Sequence, residues 1–354
     1  MQNQDFTRKS SFFLDDSPER TVSFPLRSEK ETGSKARFNL NEKVFYQEVA
    51  RTPAFVSPQR DQKIPELLTN ADLLLKYNEK ELAFHLIRQS LAVDSFHPEA
   101  LKKLSRCFDF AKDNEKLIHI FSSLLLVDYG FQNVTQLAHA HYRQGQDKLA
   151  FERYQEALSI LTDECNELFE VFKNMGNILV REGDFDGAEE LYNKAFTLQP
   201  DSDVLLVNFG TLEVQRQDFA KALERFRGAL EVNAGNDKAW VGLAMVHNSM
   251  GDQTLAKANL ENALDINPKN RTATHLTANW AVRDLQYAPA IEALQNYLSY
   301  CDVDTDMSLL LIHLLCLSSK VPLALLEVER VLLWEPGNEQ MLAIEKQIRQ
   351  TLGA

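Results

Sequence analysis

The sequence predicts an all-α protein built from stacked helix pairs, and three observations carry that expectation. A series of small and large apolar residues recurs through much of the span 64–338, with a period of about 34 residues that marks a repeat architecture. Glycine and proline are sparse, 13 and 11 in 354 residues, which disfavours a turn-rich β fold. Leu, Ala, Glu and Lys dominate the middle of the chain, as helices prefer.

Residues 1–63 stand apart. They are rich in Ser, Thr, Arg, Lys and Glu, with Pro18, Pro25, Pro53 and Pro58 spaced through them. Such a segment buries too little apolar surface to offset its ordering entropy, so a mostly disordered tail is expected. One stretch, residues 41–51 (NEKVFYQEVAR), fits a short helix with Phe45, Tyr46 and Val49 near one face. Aromatics at Phe12, Phe13, Phe24 and Phe38 leave two readings open. They are residual hydrophobicity in a linker, or docking motifs that order on a partner or fold back on the body.

The clearest repeat is residues 169–202, FEVFKNMGNILVREGDFDGAEELYNKAFTLQPDS. Small residues at Gly176, Ala188 and Ala195 let two helices approach, while Phe172 and Tyr192 fill the gaps beside them. Gly183 takes the turn and Pro200 ends the second helix. This unit closely resembles the tetratricopeptide (TPR) consensus, with Met175–Gly176, Leu179, Gly183, Ala188, Tyr192, Ala195 and Pro200 at its signature positions.

Stepping by one repeat length recovers the pattern in both directions. Phe209–Gly210, Ala222, Phe226 and Ala229 mark the next unit, and Trp240, Leu243, Gly251, Ala256, Ala263 and Pro268 the one after. Leu137, Ala138, Gly145, Ala150, Tyr154 and Ala157 mark the unit before. About eight repeats are expected, at 64–97, 98–130, 131–164, 169–202, 203–236, 237–270, 271–304 and 305–338. Residues 339–354 then form a capping helix over the last apolar face. The resemblance implies a right-handed α-solenoid of helix-turn-helix repeats.

Charge and motifs exclude several functions. The net charge is −13, divided as +2 over residues 1–63 and −15 over the remainder. That balance argues against nucleic acid or an anionic membrane as partner. Cys107, Cys165, Cys301 and Cys316 are scattered without metal-ligand or disulfide spacing. No secretory signal or membrane span is read, so a cytoplasmic protein without membrane insertion is expected. No phosphate loop, nucleophile elbow or zinc motif is found. The expectation is a non-enzymatic chain with no cofactor and no metal.

In the family, the first helix of each repeat lines a concave groove. The resemblance carries that role to His139, Arg143, Lys173, Asn177, Arg181, Asn208, Thr211, Lys238, Met245, His275, Asn279 and Arg283. Lys173, Asn177, Asn208 and Lys238 fall on four of the five positions of the carboxylate clamp used by chaperone-binding members. At the fifth, where an Arg would grip a carboxylate in bidentate fashion, stands Gly242. Asn at these positions is also common for packing alone.

The expected function is a scaffold or adaptor that binds a peptide-like segment of another protein, extended or acidic, in this groove. The alternative is a dedicated chaperone or assembly factor serving one client or one macromolecular machine. Finally, Leu309, Leu310, Leu311, Ile312, Leu314, Leu315 and Leu317 leave one helix with little polar surface. Either it packs into the core, or the C-terminal repeats form a homo-oligomer or partner contact.

Overall fold

A computed structural model describes residues 63–353, except 111, 112, 163, 164 and 302. The expected disordered tail (apart from Lys63) and the short helix at 41–51 lie outside the described residues. Among these residues there are seventeen α-helices and no strand. They divide into two compact units, residues 63–178 and residues 179–353.

The first unit contains α1 (Lys63–Lys76), α2 (Lys80–Val93), α3 (Pro98–Phe110), α4 (Asn114–Leu124), α5 (Phe131–Arg143) and α6 (Asp147–Ile160). The next helix, α7 (Glu167–Glu182), contains the division between the units. Consecutive helices pack on one another. Ala71, Ala83, Ile87, Leu104, Leu117 and Leu124 are among the buried residues of one continuous core. The first repeats are weak in sequence, yet their apolar residues still fall on one face per helix.

The second unit holds α8 (Phe185–Leu198), α9 (Asp203–Gln215), α10 (Phe219–Val232), α11 (Asp237–Ser249) and α12 (Gln253–Ile266). It continues with α13 (Arg271–Asp284), α14 (Tyr287–Ser299), α15 (Thr305–Leu317), α16 (Val321–Trp334) and α17 (Glu339–Leu352). Its periodicity is physical. Ala188, Ala222, Ala256, Ala290 and Ala324, each one repeat length from the last, are fully buried. One turn later in each helix sits the large buried residue: Tyr192, Phe226, Leu260, Leu294 and Val328. A methyl at the first position lets a neighbouring helix approach, and the larger side chain fills the space beside it.

Helix starts keep the same period. The side chains of Ser202, Asn236, Asn270, Asp304 and Asn338 accept an amide N–H and cap the first helix of each pair and α17. Asp184, Asp218 and Asp252 do the same for α8, α10 and α12. At the corresponding positions Gln286 and Lys320, no side-chain cap forms. Just before these sites the backbone turns left-handed once per repeat, at Gly183, Gln217, Gly251, Leu285 and Ser319.

Successive pairs in this unit are tied by shared carboxylates. Asp203 accepts hydrogen bonds from Asn233 (2.6 Å) and Asn236 (2.9 Å), and Asp237 accepts from Asn267 and Asn270 at the same two distances. Further along, Asp304 takes over, accepting from Arg271 Nε and the Tyr297 hydroxyl, both at 2.9 Å. Burial alone would raise the Asp304 carboxyl, but these bonds and the Met307 amide hold it below its ordinary value.

In the leucine-rich α15, Met307, Leu311, Ile312, Leu314 and Leu315 are buried, and Leu309 and Leu310 pack against the same cluster. The apolar excess of this helix is therefore largely core. Leu317 at its end is exposed. On the last helix, α17, Met341 and Ile348 are buried in that cluster.

Candidate protein-binding face

In the first unit, the nominated side chains are engaged by their own neighbours. The Tyr154 hydroxyl of α6 sits 2.7 Å from His139 Nδ1 of α5, and Asn174 Nδ2 of α7 donates to Tyr154 Oη at 3.1 Å. With Asn174 donating to the tyrosine oxygen, the hydroxyl proton is directed at a neutral imidazole nitrogen. Burial, followed by the charges of Arg143 and Lys173, pushes the His139 pKa down from 6.5 to about 4. Burial likewise raises that of Tyr154.

Asn177 is buried and donates to the Tyr142 hydroxyl at 2.9 Å. Arg143 is paired with Asp109 of α3 at 2.6 Å. Lys173 has a side chain only 8% exposed, with Nζ 2.8 Å from Glu170 and over the Phe169 ring. Its stem is packed, as long cationic side chains allow. The geometry thus makes this group a hydrogen-bonded wall with its cations already neutralised.

In the second unit, Asn208 and Thr211 of α9 are buried, and the Thr211 hydroxyl donates to the Val207 carbonyl. Arg181 is partly exposed, and Lys238 at the start of α11 is exposed. The remaining residues lie on α11 and α13. Met245 is partly exposed and packs against a core cluster that contains Trp280. Arg283 Nη1 donates to Asn248 Oδ1 at 3.0 Å, joining α13 to α11. Asn279 is exposed and its amide lies 3.1 Å from His275 Nδ1, one turn away.

The Arg283 guanidinium is held in place by Asp284 (2.8 Å) and lies 5.8 Å from the Trp280 ring centre. Arg283 and then Lys257 hold the Asp284 carboxyl down to about 2. Asp284 and Trp280 were not among the sequence candidates. The signal for Asp284 is its adjacency to Arg283, while Trp280 reads as an ordinary core aromatic. The result is a hydrogen-bonding face of amide, imidazole and guanidinium groups on two adjacent first helices.

The fifth clamp position is closed from within. A Cβ on Gly242 would lie 2.4 Å from Cε1 of Phe226, and one on Gly210 would lie 2.6 Å from the same atom. This ring fills the site where the clamp arginine would begin.

Residues 132–201 and residues 237–270 match models of the tetratricopeptide repeat. Together with the paired helices of both units, these matches show that the chain carries tetratricopeptide repeats. No curated protein matches its sequence. Among solved structures, the chain resembles the APC/C hetero-tetramer Cut9-Hcn1 at 16% identity and a TM-score of 0.52, over 69% of this chain. It spans 48% of the length of that structure's chain. PilF of Pseudomonas aeruginosa gives 15% identity and a TM-score of 0.48, over 62% of this chain and 99% of that one. YrrB, described as a TPR protein with an unusual peptide-binding site, gives 16% identity and 0.41, over 54% and 97%.

The fold supports a protein–protein interaction scaffold, and TPR proteins are typically non-enzymatic. Among the described residues, no helix is long and apolar enough to cross a membrane.

Proposed function

We propose that the chain is an adaptor whose α11–α13 face holds an extended segment of a partner protein. The observation that carries this reading is the Arg283–Asn248 bridge, which fixes a guanidinium beside the exposed amide of Asn279. Hydrogen-bonding groups held in place before binding lose little entropy when a peptide backbone arrives. Arg283 already has Asp284 as its counter-ion, so selectivity for acidic segments is modest.

The test is capture of partners by the full chain, with the triple variant Lys238→Ala, Asn279→Ala and Arg283→Ala alongside. Loss of a charge-assisted hydrogen bond weakens capture by about tenfold or more, with helix content unchanged. Undiminished capture contradicts the assignment. Lys173→Ala is a poor probe, because its packed stem makes the change a test of folding.

A further inference from the structure

The outward face of α16 departs from the other second helices of residues 179–353. Positions one repeat length apart are equivalent there, as the buried alanines show. At the position of Leu326, the earlier helices carry Glu190, Glu224, Ala258 and Glu292; at that of Leu333 they carry Thr197, Glu231, Asp265 and Ser299. All eight are exposed. Leu326 and Leu333 are exposed too, at 60% and 78%, with Leu323 and Trp334 beside them. Leucine thus replaces mainly acidic and polar residues on one solvent-facing stripe, at a direct cost in hydration.

The stripe also has a symmetric order. Leu326, Glu329, Arg330 and Leu333 lie at helical spacing on one face. Reversed, this series becomes its own complement: leucine faces leucine and acid faces base. Glu329 is paired with Arg349 of α17 at 2.7 Å, and Arg330 with Glu327 and Ser308. The remaining exposure of Glu329 and Arg330, 41% and 30%, leaves both within reach of an opposing helix.

We propose that α16 pairs antiparallel with α16 of a second copy of this chain, about a two-fold axis between Glu329 and Arg330. In such an isologous contact, Leu326 of each copy packs on Leu333 of the other. Residues 64–354 carry −15, so two copies repel over most of their surface. This stripe is where the acidic residues of the equivalent helices are replaced. An anionic lipid surface is disfavoured by the same charge. The inference is independent of the α11–α13 face.

The experiment is sedimentation equilibrium on the full chain, beside Leu326→Glu with Leu333→Asp. These substitutions restore residues that the chain already carries at equivalent sites, so the fold is kept, which far-UV circular dichroism checks. The wild type is expected to be a dimer, and the double variant to raise the dimer dissociation constant by more than about a hundredfold. Leu255→Glu, on an exposed leucine of α12, leaves the dimer intact. Glu329→Lys, which sets lysine against Arg330, weakens the dimer about fivefold. A monomeric wild type, a dimer that survives the double change, or equal loss with Leu255→Glu overturns the proposal. Unchanged affinity in Glu329→Lys overturns the antiparallel register.

Discussion

Phe226 occupies the space that any side chain at position 242 would need. The ring is fully buried and wedged between Gly210 of α9 and Gly242 of α11, so it cannot retreat from one without meeting the other. The clamp arginine is therefore absent for a packing reason. A large aromatic on α10 and two glycines form one unit, and the next repeat solves the same problem with Leu260 and Ala244.

Gly242→Ala is accordingly expected to destabilise the fold by about 1–3 kcal/mol, the usual cost of overpacking, despite the better helix propensity of alanine. Adding Phe226→Leu, the residue found at the equivalent Leu260, should recover part of the loss relative to Phe226→Leu alone. Urea denaturation of the three variants measures this. A more stable Gly242→Ala would show that the ring yields freely.

Leu285 holds a left-handed backbone with φ of 57° at the turn where Gly183 and Gly251 stand in other repeats. A β-carbon in this region costs about 1 kcal/mol. Leu285 is also 73% exposed, so little packing is lost on removing it. Leu285→Gly should raise the stability measured by chemical denaturation by about 0.5–1 kcal/mol, while Gly251→Ala lowers it. The opposite order of the two variants would refute the assignment of strain.

The depressed pKa of His139 makes stability fall in acid. In the unfolded chain the imidazole takes its proton near pH 6.5, whereas in the fold it does so only near 4. The unfolded state therefore binds more protons between these values. The contribution is whole above pH 6.5 and is lost as pH falls from 6.5 towards 4, by at most about 3 kcal/mol. His139→Asn should flatten the dependence over this window. A variant whose stability falls as steeply as the wild type would exclude His139 as the source.

The packing grammar of the fold was legible because it rests on residue size at a fixed period: Ala188, Ala222 and Ala256 are read directly from the sequence and are fully buried. Turn geometry at Gln217, Leu285 and Ser319 was hidden, since none of these residues advertises a positive φ. The lysines and arginines of the nominated face were legible, but their counter-ions were not. Residue type alone does not reveal that Lys173 lies along the protein with Glu170 as its counter-ion. The leucine excess drew attention to α15, where packing absorbs most of it, while the exposed leucines lie on α16. Facing direction, set by the neighbouring helices, separates the two.

Photo-crosslinking from single positions of the full chain tests the central claim most directly. A photoreactive residue at Asn279, on the α11–α13 face, is compared with one at Glu261, exposed on α12. Covalent capture of a partner protein from position 279, and none from 261, is the predicted result. Capture from 261 with none from 279 would contradict the assignment of the binding face.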